Sequence, residues 1–257
     1  MTQLLKNLQS GNAAFGMWLN LGSAVSAEIA SLAGYDWLLV DLEHGSGDYR
    51  DLAHQLWAAQ AGPAQVVVRV GGLDSVEIKR VLDLGPAGVM IPNVETPEQA
   101  AAAVAAVRIP PLGARGAATS TRASGYGFTY NRYLSGSNRE VLLTVQIESA
   151  QAVENAGAIA ATAGIDVLFI GPLDLSVSLG VGATAEDALR FSAALQTVVA
   201  SAAAHGKPAG ILARNAEQAQ QYLRMGFTFI AMGSDRGMLA SGMRHGMEAL
   251  RRLAAGD

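Results

Sequence analysis

The chain has 257 residues, half of them hydrophobic and only 6% aromatic, with 29 glycines and no cysteine. Its formal charge is −4 with Lys and Arg scattered along it, so the basic face that neutralises phosphates is missing and nucleic acid is not an expected partner. Without cysteine there are no disulfides and no thiolate metal sites, and the Ala- and Gly-rich composition suits helices packed closely on a sheet, the α/β class.

The opening stretch, MTQLLKNLQSGNAAFGMW, carries no basic segment leading into an apolar core of signal-peptide length. No later apolar run reaches about 18 residues without a charge or proline, so a cytoplasmic protein with no membrane partner is expected. Short apolar runs then alternate with longer helical segments to the end of the chain. The expected strands are 15–20, 36–41, 65–70, 87–91, 141–147, 166–170, 208–213 and 227–232. Between them, helices are expected at 26–33, 49–61, 74–84, 96–107, 149–163, 184–205, 215–225 and 234–253. Thr96-Pro97-Glu98 places a capping residue, a proline and an acid in the order that starts a helix. Gly34, Gly62, Gly85, Gly164, Gly206 and Gly226 stand where helices should end, supplying left-handed turns into the next strand.

Eight strands, each followed by a helix, predict a (β/α)8 TIM barrel occupying residues 1–257 as one domain. An open doubly wound sheet is the rival, but Leu21-Gly22-Ser23 is not the glycine-rich turn its dinucleotide site needs. One segment, 108–139, breaks the rhythm with Gly, Ser, Arg and Tyr. Its length points to a functional loop, either a partner contact or a lid.

In such barrels the chemistry collects where the strands end. The first strand delivers Trp18 and Asn20, the second Asp41, Glu43 and His44, and the third Arg69. The fifth ends in Gln146 and Glu148, the sixth runs into Gly171-Pro172-Leu173-Asp174, and the seventh ends at Leu212. Glu148 and Asp174 leave neighbouring strands at one rim, a donor set suited to Mg²⁺ or Mn²⁺, although each alone could simply cap the next helix. Arg69 closes VVVRV, where a buried guanidinium needs an anion such as a substrate carboxylate or enolate. His44 is the one histidine at a strand end beside acids and is placed for proton transfer. Metal, arginine and histidine together suit the making and quenching of an enolate beside a carbonyl.

The runs DWLLVDLEHG, VVVRV, EIKRVLDLGPAGVMIPNVETPEQA, PPLGARG, VQIES and FIGPLDLS resemble, in order and spacing, those of the HpcH/HpaI family of class II pyruvate aldolases. The resemblance implies a hexamer of barrels with the last helix exchanged between protomers, and a Mg²⁺, Mn²⁺ or Co²⁺ ion on Glu148 and Asp174. It implies pyruvate chelating that ion, its carboxylate on amides near Leu173 and Asp174 in the Gly171-Pro172 turn, with Gln146 as a further polar contact. Arg69 would bind the keto oxygen, and His44 would exchange a proton with the C4 hydroxyl through a water. The family pairs that histidine with an aspartate matching Asp83, which ends the third expected helix at the far end of its own barrel and can serve only a neighbouring protomer. Trp18 and Leu212, with Arg115 and Arg122 of the long segment, are expected near the aldehyde.

The implied reaction is reversible cleavage of 4-hydroxy-2-oxo acids to pyruvate or hydroxypyruvate and an aldehyde. Lys6, Lys79 and Lys207 all lie in helices or at their edges, so no Schiff-base lysine is expected. The rivals are a citrate-lyase-like enzyme acting on malyl-CoA or citramalyl-CoA, for which no basic cluster suits the CoA phosphates, and a barrel that binds 2-oxo acids without turnover.

Overall fold

The computed structural model describes residues 2–255. Eight parallel strands close into a barrel in chain order: β1 (Ala14–Leu19), β2 (Trp37–Asp41), β3 (Gln65–Arg69), β4 (Gly88–Ile91), β5 (Leu142–Ile147), β6 (Val167–Ile170), β7 (Ala209–Ala213) and β8 (Phe229–Ser234). This is the (β/α)8 barrel, and every expected strand is present to within two residues at each end.

Alternation divides each strand between two cores. Trp18, Trp37, Leu39, Val67, Met90, Leu142, Phe169 and Phe229 point inward and fill the barrel, while Leu38, Val40, Val66, Val68, Val145 and Ile211 point outward beneath the helices. The interior fits by pairing very large with very small: Trp37 stacks on Phe229 with ring centroids 3.8 Å apart, and a Cβ on Gly16 would lie 2.2 Å from the Trp37 ring.

The outer layer begins with α1 (Gln3–Gln9), which the sequence pattern did not predict. Leu4, Leu5 and Leu8 of α1 plug the amino-terminal end of the barrel, and the Leu4 amide donates to Gln65 Oε1 at the start of β3. Next in the chain are α2 (Ala24–Leu32), α3 (Tyr49–Ala58) with a short 3-10 turn, α4 (Ser75–Asp83) and α5 (Pro97–Val107). Helix α5 opens with the expected Thr96 cap, reinforced by Gln99 in a capping box. Gly34, Gly85, Gly164, Gly206 and Gly226 have positive φ as expected, but Gly62 is extended at φ −136°. A Cβ on it would lie 2.3 Å from the Ser31 carbonyl oxygen, so crowding rather than handedness requires glycine there.

Residues 108–139 hold a second unpredicted helix, α6 (Tyr130–Glu140), preceded by a 3-10 segment, Arg122–Gly127. Arg122 donates to the Leu84 carbonyl just past α4, and Arg108 to the Val141 carbonyl just before β5. The segment therefore packs at the amino-terminal end of the barrel and is not a lid over this chain's own rim. Further on, the single helix expected at 149–163 is two, α7 (Ala150–Glu154) and α8 (Ala156–Ala161), broken at Asn155 with ψ near 0°. Then come α9 (Pro172–Ser178), α10 (Ala185–Ala204), α11 (Ala216–Met225) and α12 (Asp235–Ala255). Among the described residues no helix is long and apolar enough to cross a membrane.

Candidate active site

The carboxyl-terminal rim is built from the inward positions one layer above the apolar filling. Strand β2 runs Trp37, Leu39, Asp41 on its inner side and β3 runs Gln65, Val67, Arg69, with Asp41 opposite Arg69 in the sheet register. Arg69 Nε donates to Asp41 Oδ1 at 3.0 Å and Nη2 to Oδ2 at 2.7 Å. On the other side of the guanidinium, Nη1 lies 2.9 Å from Glu43 Oε2. Trp18 supports the group from below, its ring centroid 5.6 Å from Cζ. The anion that a buried guanidinium requires is thus already supplied within the chain by Asp41 and Glu43, where the sequence suggested a substrate carboxylate or enolate. Three of the five N–H groups are engaged, and the others remain for a ligand.

Asp41 organises the whole VDLEHG turn. Its Oδ1 also accepts from the Glu43 and His44 amides at 3.1 and 3.2 Å, and its Oδ2 from Asn20 Nδ2 at 2.7 Å. Burial alone would raise the Asp41 carboxyl. The hydrogen bonds and charge of Arg69, with the two amides, outweigh burial and hold it below the usual range. Burial also opposes charge on Arg69, and Asp41, Glu43 and Glu148 together hold it above its ordinary value. Glu43 goes the other way: burial raises it in spite of Arg69 and His44. His44 projects from this turn with its side chain 69% exposed and Nε2 3.9 Å from Glu43 Oε2. An arginine and a histidine are thereby tied to one carboxylate.

Across the rim, Glu148 is buried just past β5. Its Oε1 accepts from the Asn93 amide at 2.8 Å and its Oε2 from Gln146 Nε2 at 3.0 Å. It is not a helix cap, because Ser149 caps α7. The backbone of Gly171 passes so close that a Cβ there would lie 2.2 Å from Oε2. Asp174 stands in the first turn of α9 after Pro172, near enough for its charge to act on Glu148. Burial and then, against the help of the Asn93 amide, the charges of Asp174 and Glu43 push Glu148 up to about 7. The charge of Arg69 offsets this only in part. Two neighbouring carboxylates, one of them bonded only to neutral donors, are a donor set for a hard divalent ion, and Glu148 and Asp174 could hold one. Among the described residues no third His, Asp or Glu joins them, so water or substrate would complete the shell.

A cavity of about 730 Å³ opens beside Arg69, walled by Trp18, Asn20, Asp41, His44 and Leu212 and continuing along Arg214 and Asn215 to Ser234 and Ser241. Glu148, Gln146 and Asp174 are not on that wall but adjoin it through Arg69, whose charge reaches Glu148. A second cleft, of about 480 Å³, runs past Pro172 and Leu173 to Phe191 and Tyr222 and shares Leu212 and Arg214 with the first. Leu173 is 72% exposed on its wall. Asp83 lies at the opposite end of the barrel, its Oδ1 buried without a hydrogen-bond partner, and burial raises it against the charges of Arg115 and Lys79. Arg115 is there too, bonded to the Val107 carbonyl, Tyr133 and Ser137, and so is Arg122. Neither arginine reaches this chain's own rim, so within one barrel they are not brought beside the other site residues.

Residues 14–241 match the family model described as HpcH/HpaI aldolase/citrate lyase. The chain belongs to this family. A 5-keto-4-deoxy-D-glucarate aldolase of Klebsiella pneumoniae is 43% identical over 237 residues, 92% of each chain. Among solved structures, an HpcH/HpaI aldolase/citrate lyase family protein of Burkholderia cenocepacia superposes with a TM-score of 0.92 at 38% identity, over 98% of this chain and 100% of that one. An HpcH/HpaI aldolase of Desulfitobacterium hafniense gives 0.89 at 28% identity, over 96% of both. Within an HpcH/HpaI barrel, sequence reading located Asn20, Asp41 and Glu43 at the strand ends, but not the hydrogen bonds that join Asp41 to Arg69 and Asn20. The Asn93 amide on Glu148 was not singled out and has no sequence signal of its own.

Proposed function

We propose that this chain is a divalent-metal-dependent aldolase that reversibly splits 4-hydroxy-2-oxo acids into pyruvate, or hydroxypyruvate, and an aldehyde. The observation that carries the reading is the meeting at one rim of the buried Glu148 carboxylate, the neighbouring Asp174 and an arginine that keeps unused donors. A cation on Glu148 and Asp174 would supply Lewis-acid polarisation of the 2-oxo carbonyl when bound. The remaining work falls to the chain itself.

The free donors of Arg69 stabilise the negative charge that develops on the keto oxygen as the C3–C4 bond breaks. That guanidinium needs no reorganisation at that moment, because Asp41 and Glu43 already fix its plane. The unpaired amides of Leu173 and Asp174 at the start of α9 receive the substrate carboxylate, and the Gly171-Pro172 turn brings them to it. Gln146 holds Glu148 through Nε2 and has a buried Oε1 without a partner, free for a substrate or water hydrogen. His44 takes the proton from the C4 hydroxyl during cleavage and returns it to the aldehyde oxygen during condensation. Trp18 and Leu212 are the apolar surfaces against which the aldehyde lies.

The reading includes a homo-oligomer, a hexamer with α12 exchanged. Helix α12 exposes Met243, Met247, Leu250 and Leu253 along one side. An apolar groove over β8 and β1, walled by Phe15, Tyr35, Ala219, Leu223 and Met232, lies where an eighth barrel helix would pack, and a neighbour's α12 fits it in chemistry. In that assembly the unpartnered carboxyl of Asp83 would serve the next protomer's His44.

The test is release of pyruvate from a 4-hydroxy-2-oxo acid. Exhaustive chelation is expected to abolish it, and Mg²⁺, Mn²⁺ or Co²⁺ to restore it. Full activity after chelation, or trapping of substrate on the protein by borohydride, would overturn the proposal.

A further inference from the structure

We infer that Arg214 is a specificity-determining residue that selects aldehydes carrying a carboxylate at the end remote from the reacting carbon. This rests on the aldolase reading above and adds a residue to it. Strand β7 turns Gly210 and Leu212 inward, and the same alternation carried one step past the strand brings Arg214 over the mouth of the barrel. Its backbone is fixed there. The Arg214 amide donates to Gln218 Oε1 at 2.8 Å, and the neighbouring Asn215 caps α11 by accepting from the Gln218 amide at 2.9 Å.

Arg214 borders both rim clefts, each time beside Leu212. An aldehyde extending away from the Glu148 and Asp174 side along either cleft therefore passes the same guanidinium. The two arginines on the wall of the larger cavity differ in what they have left to offer. Arg69 is clamped by Asp41 and Glu43, whereas among the described residues the Arg214 guanidinium has neither an ion pair nor a hydrogen bond. Asp41, the one carboxylate on that wall, is already bonded to Arg69, Asn20 and two amides. In the smaller cleft Asp187 is likewise taken, by Thr184 and Arg190. Among the described residues, the arginine on these two walls left without a partner is thus Arg214, an exposed guanidinium whose planar fork matches a carboxylate in two parallel hydrogen bonds.

The experiment compares condensation of pyruvate with two aldehydes of equal chain length, 4-oxobutanoate and butanal, in the Mg²⁺- or Mn²⁺-loaded full-length protein. The wild type is expected to prefer 4-oxobutanoate in kcat/KM. Arg214→Ala should reduce that preference about 10- to 100-fold, chiefly through KM of the aldehyde, as loss of one charge-assisted contact would. Arg214→Lys should recover part of it, and Arg214→Glu should favour butanal. A preference unchanged in Arg214→Ala, or equal losses for both aldehydes, would overturn the inference while leaving the aldolase reading intact. Failure of the wild type to condense pyruvate with either aldehyde would overturn both.

Discussion

At the amino-terminal end of the barrel Arg108 donates to the Val141 and Gly164 carbonyls and to Asp166 Oδ2, the last at 2.8 Å. At the carboxyl-terminal end Arg69 grips Asp41 through two hydrogen bonds. Both arginines and Asp41 are buried and Asp166 is partly so, yet the two pairs sit differently. Arg108 has its bonds directed into two backbone carbonyls and one side-chain carboxylate, and it stitches the end of α5 to the starts of β5 and β6. Arg69 faces a cavity, has donors to spare and has a second acid, Glu43, leading on to His44. The carboxyls respond accordingly. Burial leaves Asp166 above its ordinary value in spite of Arg108, while Asp41, with more donors around it, is held below. The pair assigned to the proposed site is thus the one that is incompletely used and opens to a cavity.

Substitution separates the two ends. Arg69→Ala should lower turnover about 10³-fold or more in a protein whose far-ultraviolet circular dichroism is unchanged, since it removes the donors aimed at the developing charge. Arg108→Ala should instead cost about 3–5 kcal/mol of stability in urea titration, because it strands Asp166 and two carbonyls, with kcat/KM per folded molecule changed less than about twofold. An Arg108→Ala protein of normal stability but poor turnover would dissolve the comparison.

The acids of the rim give a pH signature that the other end lacks. Glu148 is raised to about 7 in the fold, so between about pH 4.5 and 7 the native state binds a proton that the unfolded state has lost. The Glu148 contribution should therefore lower the stability of the metal-free protein by roughly 3 kcal/mol as pH rises through that window, separate from the loss at lower pH as Asp41 protonates. Glu148→Gln should flatten the profile, which urea titrations at stepped pH would measure. A smaller effect is expected at the link between Arg69 and His44. Glu43→Gln keeps the shape but weakens the hold on both groups, and should lower kcat about 10-fold while KM for pyruvate moves little.

Much of this was legible in the sequence because barrel strands are short apolar runs whose ends deliver the chemistry. VVVRV and VDLEHG located Arg69 and His44, and the two carboxylates after β5 and β6 were found the same way. The meaning of Asp41 was harder to read, because its partner is fixed by the register between β2 and β3 and not by its neighbours in the chain. Helix α1 was missed because its three leucines resemble the start of any surface helix, and only the open end of the barrel gives them a place. Segment 108–139 showed its length but not its side: α5 runs back down the barrel, which leaves the next residues of the chain at the end opposite the rim. The closeness of Gly171 to Glu148 is a tertiary contact with no sequence signal beyond the glycine itself.

Enolate formation at the carboxyl-terminal rim can be measured without any aldehyde, by following exchange of the pyruvate methyl protons for deuterium in D₂O by proton nuclear magnetic resonance. Metal-dependent loss of the methyl signal is expected with the wild-type protein, abolished by Glu148→Gln and by Arg69→Ala but retained in Arg108→Ala. Absence of exchange with the metal-loaded wild type, or exchange that survives Arg69→Ala undiminished, would contradict an enolate held at this rim by Arg69.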